Sequence, residues 1–240
     1  MSNAKDVIIA CDFPGKKETM DFLEKFAGFE KKPFLKIGME LFYSEGPDIV
    51  REIKAQGYRI FLDLKLHDIP NTVEKAMAAL SKLDVDMCNV HAAGTKDMME
   101  AALRGLTRPD GTRPLLIAVT QLTSTSQERM QAELLISEEI DKVVIKYAEN
   151  ASEAGLDGVV CSPLEAGKIH EACGSGFLTV TPGVRFAEGS KDDQVRVTTP
   201  EKARELGSDY IVVGRPITKA EDPAAAYKRA YKEFTGGDAK

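Results

Sequence analysis

The stretch Arg59-Ile60-Phe61-Leu62-Asp63-Leu64-Lys65-Leu66-His67-Asp68 opens as an unbroken apolar run and ends in alternating charges. An apolar run with no polar alternation fits a strand buried on both faces, as in a parallel sheet. Seven further runs share this character, over residues 7–11, 34–37, 87–90, 115–119, 158–161, 178–181 and 210–213. Counting from residue 7, successive runs start 27, 25, 28, 28, 43, 20 and 32 residues apart. Between them lie mixed-charge segments with helical periodicity, over 17–26, 47–55, 73–83, 95–106, 139–154 and 224–234. Thr95 is placed to cap its helix, and Gly57 and Gly155 to end theirs. This alternation predicts a single (β/α)8 TIM barrel over residues 5–240. A doubly wound open sheet would usually carry a glycine-rich turn after its first strand, where this chain has Asp12-Phe13-Pro14-Gly15.

The composition is that of a globular protein, with 43% hydrophobic and 29% charged residues. Lys and Arg number 32 against 38 Asp and Glu, a net charge of −6. That balance argues against a nucleic-acid groove, which needs a basic excess. It leaves room for a small anionic ligand held by a local cluster of cations. No apolar run approaches the roughly 18–20 residues of a membrane span. Cys11, Cys88, Cys161 and Cys173 lie far apart with no Cys-x-x-Cys pair, which fits reduced thiols in a cytoplasmic protein. Met1-Ser2-Asn3-Ala4 lacks the basic-then-apolar pattern of a secretory signal, and Ser2-Asn3-Ala4 reads as an expression-tag remnant.

In such a barrel the active site lies at the C-terminal ends of the strands. Those ends carry Asp12, Lys36, Asp63, Lys65 and, on the following loop, Asp68. They continue with Asn89 and His91, then Thr120, Gln121 and Thr123, then Arg185, then Gly214-Arg215. Two lysines and three aspartates on one rim are hard to assign to packing. Asp63 and Lys65 stand two apart, so a regular strand would turn them to one side. Carboxylates around Lys65 favour its ammonium form, which suits a proton donor and disfavours a Schiff-base amine. Oxygen ligands could hold Mg²⁺ instead, but Lys36 and Lys65 put positive charge where the cation would sit. Loops after strands seven and eight of these barrels often bind phosphate, and Arg215 adds a forked cation suited to its oxygens. Residues 182–199 form a long polar stretch that could close as a lid, bringing Arg185 and Gln194 over the same group. His67 and His91 read as non-catalytic and His170 as a surface residue.

The sequence Asp63-Leu64-Lys65-Leu66-His67-Asp68-Ile69-Pro70-Asn71-Thr72 resembles the D-x-K-x-x-D-I-P-N-T signature of the orotidine 5′-phosphate decarboxylase family. Ala10-Cys11-Asp12, Leu35-Lys36-Ile37-Gly38, Val119-Thr120-Gln121-Leu122-Thr123-Ser124, Thr181-Pro182-Gly183-Val184-Arg185 and Val213-Gly214-Arg215-Pro216-Ile217 are similar to further segments of its bacterial branch. The resemblance implies conversion of orotidine 5′-monophosphate to UMP and CO2, the last step of de novo UMP synthesis, without cofactor or metal. It implies Lys65 as proton donor to C6 of the pyrimidine, within a tetrad of Lys36, Asp63, Lys65 and Asp68. It places Asp12 and Lys36 on the ribose hydroxyls, Thr123 on the pyrimidine edge, and Arg215, Gly214 and Gln194 on the phosphate, with Arg185 on the lid. It also implies a homodimer in which Asp68, Ile69 and Thr72 enter the partner's site. The alternative within the same superfamily is a Mg²⁺-dependent sugar-phosphate decarboxylase or synthase. Those enzymes carry a carboxylate where this chain has Lys36 and lack the Ile69-Pro70-Asn71-Thr72 continuation. A third reading, a catalytically silent phosphate-ligand binder, has no need of a proton donor beside its ligand.

Overall fold

A computed structural model of the chain describes residues 5–188 and 198–239. All eight apolar runs are parallel strands that close in chain order: β1 Asp6–Ala10, β2 Phe34–Gly38, β3 Arg59–Leu66, β4 Met87–His91, β5 Leu115–Val119, β6 Gly158–Val160, β7 Leu178–Thr181 and β8 Tyr210–Val213. Closure is made where β1 pairs with β8, Ile8 opposite Val212.

The runs are continuous because each strand has two dry faces. Ile8, Ala10, Phe34, Phe61, Met87, Ile117, Val180 and Val212 fill the barrel's interior. Their neighbours along the chain, among them Val7, Ile9, Leu35, Ile60, Leu62, Cys88, Leu116 and Ile211, pack outward against the helices. The 95–106 helix has the bounds expected from the sequence, Thr95–Leu106, and so does Pro47–Ala55. The helix expected at 73–83 starts earlier, as Pro70–Leu80, because Pro70 supplies a ready-made helical φ at its first turn. Three helices had no counterpart in the sequence reading: Met39–Glu45, Pro200–Glu205 and Arg215–Thr218. Gly57 and Gly155 do end helices, at φ 85° and 82°. Thr95 does not cap its helix: Gly94 holds that position, and Thr95 is the first helical residue, at φ 70°, with no capping bond. Among the described residues no helix is long and apolar enough to cross a membrane.

At the N-terminal end of the barrel one contact recurs three times. The Asp86 carboxylate accepts the Ile60 N–H of β3 at 2.8 Å and pairs with Lys54. Asp157 accepts the Leu116 N–H of β5 at 2.7 Å and pairs with Arg113. Asp209 accepts the Thr179 N–H of β7 at 2.8 Å and lies 3.0 Å from His170 Nε2. His170 is therefore a rim contact on the Ala166–Cys173 helix rather than a free surface residue. Each aspartate directly precedes an even-numbered strand and ties down the odd strand before it, so the lower rim fixes strand register.

The opposite end is irregular at one place. Leu62 pairs with Cys88, but the next partner of β4, Val90, pairs with Leu66, so β3 carries two extra residues there. Lys65 lies in this bulge with φ 52°. A side-chain-bearing residue in the left-handed region costs about 1–2 kcal/mol, and such costs concentrate at functional sites.

Candidate active site

Residues on or just after β1, β2 and β3 rise from the packed interior into a charged row at the upper rim. The row runs Asp12, Lys36, Asp63, Lys65. Lys36 Nζ lies 2.9 Å from Asp12 Oδ1 and 3.3 Å from Asp63 Oδ2, and Lys65 Nζ lies 2.7 Å from Asp63 Oδ1. Gly38 leaves room for the first of these pairs: a Cβ there would come within 3.0 Å of Lys36 Nζ and 3.1 Å of Asp12 Oδ1.

Burial alone would push the Asp63 carboxyl up, but Lys36 and Lys65, with hydrogen bonds from Lys65 and Asn89, hold it below the usual carboxylate range. Burial works against the Lys36 ammonium too, yet Asp63 and Asp12 more than offset it and raise its pKa. The cluster is thus a set of fixed ionised groups. His91 stands near it with its rings 5.6 Å from those of His67. Burial, then His67 and Lys65, lower its pKa, so at neutral pH it is an uncharged neighbour. Cys11 and Cys88 are buried thiols pushed up to about 12 and have no nucleophilic use.

Two adjoining cavities open on this row. The first, about 390 Å³, is lined by Asp12, Lys36, Gly183, Arg185, Gly214, Arg215 and Lys219. The second, about 270 Å³, is lined by Lys36, Phe61, Asp63, Lys65, Gln121, Thr123 and Cys161, among others. They share Lys36, Pro182 and Val212. One lobe is therefore basic and suited to an anion, and the other is more apolar and ends on the Lys65 ammonium. Backbone bonds from Arg185 N–H to Thr198 O and from Thr198 N–H to Gly183 O close the base of the segment read as a lid. Gln194 and the rest of 189–197 lie outside the described residues.

Asp68, Ile69 and Thr72 are not brought into these lobes. They are exposed beside a separate groove of about 360 Å³ that also holds Met39, Tyr43, Lys65 and His67. The Asp68 carboxylate accepts its neighbour's Ile69 N–H at 2.6 Å and makes no ion pair among the described residues. Within one chain, then, Lys65 has a carboxylate on one side only, because the loop after β3 turns outward into the Pro70 helix. Lys65 itself borders both the inner lobe and this outer groove.

The sequence reading named Asn89 at a strand end without a role and did not name Lys219. Asn89, 1% exposed, donates from Nδ2 to Asp63 Oδ1 at 2.7 Å and accepts the Lys65 N–H at 2.8 Å. Its position at a strand end was visible, but a lone amide inside an apolar run carries no motif. Lys219 enters the basic lobe from the end of the short Arg215–Thr218 helix, which had no sequence signal. Among the described residues no group of three or more His, Cys, Asp and Glu side chains gathers as a metal site.

Comparison with known proteins adds sequence kinship to this geometry. Residues 5–230 match the model of the orotidine 5′-phosphate decarboxylase / HUMPS family. An orotidine 5′-phosphate decarboxylase of Bacillus cytotoxicus is 57% identical over 236 residues, covering 97% of this chain and 98% of that protein. One from Bacillus cereus is 56% identical over the same length. Among solved structures, the orotidine 5′-phosphate decarboxylase of Lactobacillus acidophilus superposes with a TM-score of 0.85 at 44% identity, covering 96% of this chain and 99% of that one. An uncharacterized conserved protein of Geobacillus kaustophilus gives a TM-score of 0.84 at 51% identity, covering 95% and 99%.

Proposed function

The chain belongs to the orotidine 5′-phosphate decarboxylase / HUMPS family, and from that premise we propose that it converts orotidine 5′-monophosphate to UMP and CO2, the last step of de novo UMP synthesis, with Lys65 as the proton donor. The observation that carries the reading is the row Asp12–Lys36–Asp63–Lys65 running from the basic lobe to the more apolar one. The phosphate sits in the basic lobe against Arg215, the Gly214 backbone and Arg185. Asp12 and Lys36 take the ribose hydroxyls, and Thr123 holds the pyrimidine edge. C6 and its carboxylate then face Asp63 and Lys65.

The bond from C6 to the carboxylate carbon breaks and its electron pair stays on C6, a vinylic centre the ring delocalises poorly. A fixed ammonium beside that carbon stabilises the developing charge more in the transition state than in the substrate. The Lys65 Nζ–H bond breaks as the C6–H bond forms, leaving UMP, CO2 and a neutral lysine that regains a proton from water. Asp63 holds the ammonium in place. Binding energy from the remote phosphate contacts orders the site around the reacting carbon.

A homodimer completes the site: Asp68, Ile69 and Thr72 of each subunit reach the partner's Lys65 through the outer groove. Two features support this. Lys65 opens on that groove, and Met39, Tyr43 and Ile69 around it are 45%, 69% and 66% exposed, an apolar rim suited to burial against a second copy. Four free cysteines, three of them buried, suit a reducing compartment and support a cytoplasmic location. The Mg²⁺-dependent sugar-phosphate reading is disfavoured by Lys36, whose ammonium fills the space between Asp12 and Asp63. A spectrophotometric assay for loss of the orotate chromophore from orotidine 5′-monophosphate tests the function. Turnover without added metal is expected, and no turnover by folded protein overturns it.

A further inference from the structure

We propose that Asn89 is a positioning residue for the proton transfer, its carboxamide clamping the Asp63 carboxylate and the Lys65 backbone into one unit that aims the Lys65 ammonium. The inference rests on the decarboxylase reading above and concerns a residue that reading does not use.

The argument starts from the bulge. Between the Leu62–Cys88 and Leu66–Val90 pairings β3 has no ladder partner on β4, so the Lys65 N–H would be left without an acceptor. Asn89 Oδ1 accepts it at 2.8 Å, and the same side chain donates from Nδ2 to Asp63 Oδ1 at 2.7 Å. The amide's orientation follows from its neighbours, since an N–H needs an oxygen and a carboxylate needs a donor. Asp63 Oδ1 thus receives Lys65 Nζ and Asn89 together, while Oδ2 faces Lys36. Without the amide, Asp63 could rotate to follow a moving lysine rather than hold it, and Lys65 would lose the bond that keeps its backbone at φ 52°. Proton transfer depends steeply on such placement, because a misplacement of about 1 Å can cost ~10²-fold in rate.

No smaller or apolar side chain can serve both partners. Leucine has the volume without either bond. Aspartate keeps the acceptor for Lys65 but gives Asp63 no donor and adds a like charge, until a shared proton restores one. The ionisable groups around this point are Lys36 from β2, Asp63 and Lys65 from β3, and His91 on β4, with Asp12 beyond Lys36 and His67 beyond His91.

The test measures kcat and KM on orotidine 5′-monophosphate for wild type, Asn89→Leu and Asn89→Asp, with UMP affinity by calorimetry and the thermal midpoint of each. Asn89→Leu should lower kcat by roughly 10²-fold while UMP affinity stays within about threefold, because the phosphate and ribose contacts are untouched. Asn89→Asp should be at least as slow near pH 7 and, with its rate taken relative to wild type at each pH, regain about fivefold or more toward pH 5, as the carboxyl pair takes up a proton. A kcat for Asn89→Leu within threefold of wild type would overturn the assignment. So would a loss of UMP affinity parallel to the loss of kcat, since that marks a collapsed site. If Asn89→Leu does not fold, the acid recovery of Asn89→Asp decides alone, and its absence counts against the role. A folded wild type inert toward the substrate overturns the decarboxylase reading itself, and this inference with it.

Discussion

Lys65 Nζ lies 2.7 Å from Asp63 Oδ1, yet the two residues are not joined by regular strand geometry. The backbone of Lys65 leaves the extended region at φ 52°, inside the two-residue bulge of β3. The ion pair is therefore made by a deformation, and Lys65 sits on a segment with fewer ladder bonds than its neighbours. That arrangement puts the ammonium over the cavity instead of inside the packed barrel.

Replacing Lys65 with alanine should abolish turnover without unfolding the protein. Nothing else on the row can supply a proton to C6, because Lys36 is committed to Asp12 and Asp63. A fall in kcat of at least ~10³-fold is expected, in line with loss of both a general acid and its electrostatic stabilisation. Turnover within tenfold of wild type would remove Lys65 from the chemistry.

Exhaustive treatment with EDTA should leave the rate unchanged. Lys36 and Lys65 flank Asp63, so a divalent ion bound there would meet two ammonium groups within ion-pair distance of its own ligand. Activity lost to EDTA and restored by Mg²⁺ would favour the sugar-phosphate branch of the superfamily.

Mixing inactive Lys65→Ala subunits with inactive Asp68→Ala subunits should regenerate activity. On the shared-site proposal, each hybrid dimer has one site with an intact Lys65 and the partner's intact Asp68. At equal mixing about half the dimers are hybrid with one good site each, so roughly a quarter of wild-type activity returns if the sites act independently. Absence of recovery despite proven subunit exchange would assign Asp68 to its own barrel.

The charge row should also shape stability against pH. The Asp63 carboxyl is held low in the fold, because Lys36 and Lys65 outweigh burial, so its contribution is present above the unfolded value of ~3.9 and is lost as pH falls through the folded one. The Lys36 ammonium is held high, so its contribution is complete below ~10.4 and is lost as pH rises through its folded value. Thermal midpoints measured from pH 3 to 11 should drop at the acid end more steeply for wild type than for Asp63→Asn. Parallel acid limbs would mean that Asp63 does not carry the linkage.

The barrel was legible in the sequence because parallel strands with two dry faces leave uninterrupted apolar runs, and all eight became strands. Helix ends were less so: Pro70 starts its helix three residues before the expected Val73, and Thr95 looks like a cap while Gly94 acts as one. Short helices such as Arg215–Thr218 span too few residues to show a period. In the site, the residues at strand ends could be picked out singly, and Asp12, Lys36, Asp63 and Lys65 do meet. The bulge that joins Asp63 to Lys65 contains no glycine and left no trace. Asp68 could not be placed by counting, since its direction depends on where the Pro70 helix points.

The three lower-rim aspartates have a consequence for how this scaffold can change. Asp86, Asp157 and Asp209 bracket β3, β5 and β7 through contacts confined to the barrel floor. A loop transplanted at the roof, such as a new connection after β5 or β7, meets strands whose starting points are already pinned from below. Refitting the barrel to another phosphorylated molecule then requires rewriting the roof alone, while a carboxylate removed from the floor would leave an N–H at the start of one strand without its acceptor.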